Sequence, residues 1–210
     1  MTDGRSLTYE ESILAIIVDK EQKKRDIALA CKELIIHNGI NNLTVSQVAQ
    51  AAGVGKGTIY EYFCNKDEIV FELVTILMQI HSQKLKHSLE TKKRTKEKIQ
   101  EFARFFYAKE DSDLRTIYKE FIALSLLSPK KEMVEFQAQC TQSYFEWFCE
   151  IIEDGIKRNE LIEEARLLAK GIFVVGEGMF VQNSVIGEEK AIESDLNTFI
   201  DTLFQLMEKR

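Results

Sequence analysis

The stretch TVSQVAQAAGVGKGTIYEYF, Thr44 to Phe63, decides the fold. Thr44 followed by Gln47 has the spacing of a capping box, in which each side chain satisfies a backbone N–H of the other at the start of a helix. Leu43 and Val48 flank it in the positions of a hydrophobic staple. Val45, Val48, Ala49 and Ala52 share one helical face, and Gly53 stops the run. Only Val54 and Gly55 separate it from a second, very short helix whose inward residues, Ile59 and Phe63, are four apart. Two helices joined by a tight glycine turn form a helix-turn-helix.

Helices extend on both sides of this stretch. Upstream, Ile27, Ala30, Cys31, Leu34 and Ile35 recur at helical spacing, and Asn38-Gly39 predicts a left-handed stop. Residues 1–20 are an extension with an apolar patch at Ile13, Leu14, Ile16, Ile17 and Val18, read as a short helix leading into the next. Downstream, Asn65 and Glu68 predict another capping box and a long helix through about Leu89. Further helices are expected over about Thr95–Ala108, around Ile117–Leu124, from Ser128-Pro129 through about Lys157 with Asn159 as its end, and over about Glu163–Val185 and Glu189–Lys209 divided at Gly187. A single proline and ten glycines in 210 residues suit helices throughout, and no segment reads as a strand. The expected fold is all-α. A three-helix head at 21–66 follows the 1–20 extension, and a larger helical body occupies 67–210.

Composition narrows the function classes. The net charge is −6, but Lys20 to Lys66 holds seven bases and four acids, so that stretch is +3 and the remainder −9. A mildly basic head on an acidic body suits an oriented approach to a polyanion. No apolar run reaches the ~20 residues needed to span a bilayer, and the N-terminus lacks a basic leader start, which together predict a cytoplasmic protein. Cys31, Cys64, Cys140 and Cys149 form no C-x-x-C pair, and the three histidines are not at ligand spacing beside them, so no metal or cofactor is expected. Nor does the chain show a nucleophile–base pair or a phosphate-binding glycine loop after a strand, which argues against an enzyme.

The short helix turns Lys56, Gly57, Thr58, Tyr60, Glu61 and Tyr62 outward. A lysine, a hydroxyl and two phenols are donors suited to phosphate oxygens and base edges. Gly55 and Gly57 leave the helix start bare for a close backbone approach, with an ordinary turn glycine as the alternative.

From Ile27 to Ile69, and above all on Thr44–Phe63 and the following CNKDEI, the chain resembles the TetR family of bacterial regulators. The matching frame is Gly39, Thr44, Val48, Ala49, Ala52, Gly53, Val54, Gly57, Thr58, Tyr60, Phe63 and Lys66. Gly55 departs from the serine common at that position. The resemblance implies that Thr44 and Lys66 reach the phosphate backbone, and that Gly55, Lys56, Gly57, Thr58, Tyr60 and Tyr62 form the DNA-reading surface. It further implies a homodimer built on the last two helices and bound to a palindromic operator in double-stranded DNA. The glycines and apolar residues of Gly171–Val181 are compatible with such an interface.

The resemblance also implies a small-molecule effector in the body, whose binding releases the DNA. Candidate lining residues are Phe102, Phe106, Tyr118, Phe121, Phe136, Cys140, Tyr144, Trp147 and Glu177, a set whose aromatic stripe fits an ordinary core as well as a largely apolar ligand. Glu177 is open to pairing a cationic ligand, a dimer contact or solvent. The implied function is an effector-responsive repressor. The alternative is an effector-independent architectural or cell-division DNA-binding factor on the same fold.

Overall fold

The computed structural model describes residues 9–127, 129–188 and 190–209, with side chains from residue 19 onward. Ten α-helices appear among them: α1 (Tyr9–Ala30), α2 (Lys32–Asn38), α3 (Val45–Ala51), α4 (Lys56–Tyr62), α5 (Lys66–Thr91), α6 (Thr95–Ala103), α7 (Ser112–Leu127), α8 (Lys131–Lys157), α9 (Ala165–Ile186) and α10 (Ile192–Met207). The described residues hold no strand, only an isolated antiparallel bridge between Leu161 and Glu208. Two compact units divide between Leu77 and Met78, inside α5, where the sequence expectation places the division at the start of that helix.

In the first unit, α1 is one continuous helix to Ala30 rather than a short helix leading into another. The side chains of the Ile13–Val18 patch, and residues 1–8 of the expected extension, lie outside the described residues. Cys31 interrupts the helix, and its Sγ donates to the Ala28 carbonyl at 2.9 Å. Ile27, Ala28, Cys31 and Ile35 are buried against Val48, Ala49, Ile59, Phe63, Ile69 and Leu73. Gly39 ends α2 at φ +76°, but its ψ of 159° is extended, so the stop is not the left-handed cap expected there.

The second unit packs Phe102, Phe148, Ile152, Leu161, Leu196, Ile200 and Phe204 into one core. α6 stops at Ala103 instead of Ala108, and the chain tightens into 3-10 turns at Arg104–Phe106 and Lys109–Asp111. Arg115 satisfies carbonyls in this stretch: its guanidinium donates to those of Phe105 at 2.9 Å and Ala108 at 2.5 Å. α8 begins at Lys131 rather than Pro129, and Ser128 lies outside the described residues. Asn159, at φ +58°, follows its C-terminus, and Gly187 closes α9 in the left-handed conformation, both as expected.

Candidate functional site

The Thr44 box forms. Gln47 N–H donates to Thr44 Oγ1 at 3.2 Å, and Thr44 N–H donates to Gln47 Oε1 at 2.9 Å. Leu43 and Val48 are both buried, as a staple requires. Gly53 takes φ +65° in the turn, a conformation that costs glycine little and a β-carbon much. Ile59 and Phe63 anchor α4 inward, while Lys56, Gly57, Tyr60 and Glu61 are exposed and Thr58 and Tyr62 half-buried. Tyr60, 54% exposed on a seven-residue helix, contributes nothing to the core of its own unit. A β-carbon at Gly57 would meet nothing within 4 Å, and one at Gly55 only Thr58 Oγ1 at 3.9 Å. Neither glycine is therefore required by packing within the chain.

Lys66 has partners within the chain. Its Nζ donates to the carbonyls of Ile40 (3.4 Å), Asn41 (3.0 Å) and Leu43 (3.4 Å), the loop that delivers the chain into α3. Asn65 and Glu68 cap α5 with a variation: Asn65 Oδ1 accepts from Glu68 N–H at 3.0 Å, but the Glu68 carboxylate accepts from Cys64 N–H at 2.8 Å. Lys24 on α1 holds Glu72 on α5 at 2.8 Å and lies over the Phe63 ring, 5.7 Å from its centre. The bond to Glu72 raises the Lys24 pKa against the opposing effect of burial.

In the second unit the candidate pocket residues gather into groups. Phe102 makes edge contacts with Tyr144 (6.0 Å) and Trp147 (5.7 Å). Tyr118 stacks on Phe180 at 6.1 Å, and Phe180 meets Phe106 at 5.5 Å. Phe121 and Phe136 form a separate pair at 5.7 Å. Glu177 accepts from the Tyr118 hydroxyl at 3.1 Å, and burial raises its carboxyl pKa although that bond draws it back. Burial also raises the Cys140 thiol.

Sequence reasoning missed His81, Ser82 and Asp111. His81 is buried, with Nδ1 3.2 Å from Asp111 Oδ1, and Ser82 Oγ is 2.8 Å from the Tyr144 hydroxyl. The available signal was a lone histidine in the apolar stripe Met78, His81, Leu85, Leu89.

α9 carries a different kind of face. Leu167, Gly171, Val174, Gly178, Val181 and Val185 recur at steps of four and three and are all exposed. Leu167 and Val185 are more than four-fifths exposed, and a β-carbon at Gly171 or Gly178 would meet nothing within 4 Å. Gly176, on the opposite side, would place a β-carbon 3.2 Å from Phe106. No described helix is long and apolar enough to cross a membrane.

The fold has counterparts among solved structures, and part of the sequence has relatives. The model of the bacterial regulatory proteins of the tetR family matches residues 27–73. The fatty acid metabolism regulator protein of Bacillus subtilis is 36% identical over 80 residues, 38% of this chain and 41% of its own length. The HTH-type transcriptional regulator HbdR of an Aromatoleum strain is 28% identical over 87 residues, 40% of this chain. The chain thus spans about two fifths of these curated relatives, 41% and 38%. A transcriptional regulator from Saccharomonospora viridis solved in complex with choline superposes with a TM-score of 0.76 at 17% identity, covering 90% of this chain and all of that one. The fatty acid degradation regulator FadR from Bacillus halodurans does so at 0.67 and 23%, covering 88% and 93%.

Proposed function

We propose that the chain is a transcriptional regulator of the TetR family, as the family match over residues 27–73 supports, and that it acts as a dimeric repressor released from a palindromic operator by a small, largely hydrophobic effector. The observation that carries the DNA-binding half is α4. Its inward residues are spent on the core, and its remaining surface, led by Tyr60, Thr58 and Lys56, is free for a groove. Thr44 stands exposed at the start of α3 with its hydroxyl proton on Gln47 Oε1 at 2.8 Å, and we assign it the cap together with a phosphate contact made by redirecting that proton.

The dimer half rests on the α9 stripe. Its heptad-like spacing and two open glycines suit close packing of helix on helix, with exposed Leu206 on α10 beside them in the chain's last helix. Two heads set about 34–36 Å apart then read successive major grooves. The names of the two fatty acid regulators among its relatives favour an effector with an acyl chain, and the aromatic groups around Phe102 and Tyr118 suit such a tail. We place the protein in the cytoplasm, where operator and effector meet.

Selection of duplexes from random DNA by the full chain tests this reading. The expected product is an inverted repeat that medium-chain acyl compounds release. Enrichment of no site, or of an asymmetric one, contradicts it.

A further inference from the structure

We propose that His81 is the polar anchor of the effector site, receiving at its Nε2 the carboxylic acid head of an apolar-tailed ligand. This rests on the effector-responsive reading above and adds to it a headgroup and a residue.

His81 is 7% exposed. Its Nδ1 faces Asp111 Oδ1 at 3.2 Å. A carboxylate only accepts, so Nδ1 carries a proton, and Nε2 is left with a bare lone pair in the neutral ring or an unpartnered N–H in the imidazolium. That Nε2 is buried and finds no hydrogen-bond partner among the described residues. The ring lies between Phe105, edge-on at 5.0 Å, and Tyr144, stacked at 6.0 Å. The neighbouring polar atoms are already satisfied, because Tyr144 and Ser82 bond each other. Buried polar atoms without partners are exceptions in native interiors, and this one lies within the aromatic group that the effector reading already implicates.

A carboxyl group answers either form: as the acid its O–H donates to a bare Nε2, and as the carboxylate, its usual form at neutral pH, it accepts from Nε2–H once the ring has taken up one proton from solvent. If the proton crosses, the O–H bond breaks, an N–H bond forms, and an imidazolium lies between two carboxylates, Asp111 and the ligand's. Both protonation states are hydrogen-bonded, so the contact persists through the transfer. An alcohol offers only the neutral bond, and a quaternary ammonium has no N–H to give. The charged and titratable groups around the pair are Asp111 itself, Lys84 on α5, Arg115 on α7 and the Tyr144 phenol on α8. Glu177 faces Tyr118 instead. Phe105, in T-shaped contact with the imidazole, sits in a 3-10 turn rather than in α6. Phe102 and Trp147 extend the aromatic wall beyond Tyr144 for the tail.

Calorimetric titration of the full chain with dodecanoic acid, dodecanol and dodecyltrimethylammonium tests this, alongside His81→Phe and the 15N resonance of the His81 Nε2. The wild type is expected to bind the acid about tenfold more tightly than the alcohol, the worth of one charge-assisted hydrogen bond. His81→Phe is expected to lose that preference while keeping its affinity for the alcohol. The Nε2 resonance is expected to shift when the acid is added. An acid preference that survives in His81→Phe, a wild type that prefers the alcohol or the ammonium, or an Nε2 resonance unmoved by saturating acid each overturns the proposal. The resonance decides the matter even if the variant fails to fold. DNA release by the alcohol or the ammonium but not by the acid would sink the anchor and keep the effector-responsive reading. Acid binding without DNA release would do the reverse.

Discussion

Lys66 Nζ donates to the Asn41 carbonyl at 3.0 Å, tying the first turn of α5 to the loop that opens α3. The ammonium thereby steadies the loop that leads into Thr44. Lys66→Ala is expected to cost about 1 kcal/mol of head stability, since the bonds are partly solvated. It is also expected to weaken DNA binding while leaving the slope of affinity against salt unchanged. A slope reduced by about one ion would restore the direct contact.

Gly155 gives a sharper stability test. A β-carbon there would lie 2.5 Å from Thr95 Oγ1 and 2.8 Å from its Cγ2, and Thr95 is fully buried with its N–H held by Glu160 at 2.6 Å. The pair sets how closely α6 and α8 approach. Gly155→Ala is expected to destabilise the body by about 1–3 kcal/mol in denaturant titration. Unchanged stability would mean that the two helices separate at no cost.

The α9 face separates association from folding. Gly178 is open within the protomer, so Gly178→Glu is expected to leave the protomer's helical content intact. Sedimentation should show dissociation to monomers, and operator affinity should fall about a hundredfold or more as the two heads lose their linkage. A dimer that survives this change would move the interface elsewhere.

The cysteines make a contrast in reactivity. Cys31 is buried in the head core and its thiol is pushed up to about 12 by burial, whereas Cys64 is exposed. Iodoacetamide under native conditions is expected to label Cys64 and spare Cys31, as read by mass spectrometry of peptides. The same shift carries a pH consequence. Below the ordinary thiol range both folded and unfolded chains keep the Cys31 proton. As pH rises from there toward 12 only the unfolded chain releases it, so the stability is lost in that alkaline window. Modification of Cys31 at the rate of Cys64 would show that the head opens locally.

The sequence made the head legible because its signals are local. The Thr44–Gln47 box, the glycine turn at Gly53 and the inward pair Ile59 and Phe63 each lie within one or two helical turns. The destination of Lys66 was not legible, because its carbonyl partners are 23–26 residues away and belong to a loop whose path only the folded head defines. The same is true of His81, whose partner Asp111 is 30 residues on, in a turn just past the expected end of α6. Helical periodicity predicted Phe102 and Phe106 on one helix. The folded chain places them in different elements, α6 and the 3-10 turn after it, where Phe105 joins the group around His81 and Arg115, from α7, bonds the carbonyls of Phe105 and Ala108.

The central claim is that α4 reads DNA, and operator affinity of Tyr60→Ala and Thr58→Ala tests it most directly. Fluorescence anisotropy on the duplex selected by the wild type, at fixed salt, is expected to show each variant weakened by about 1–3 kcal/mol if it reads a base, with relaxed preference at the bases it faces. Both variants binding that duplex with wild-type affinity and wild-type sequence preference would contradict the account.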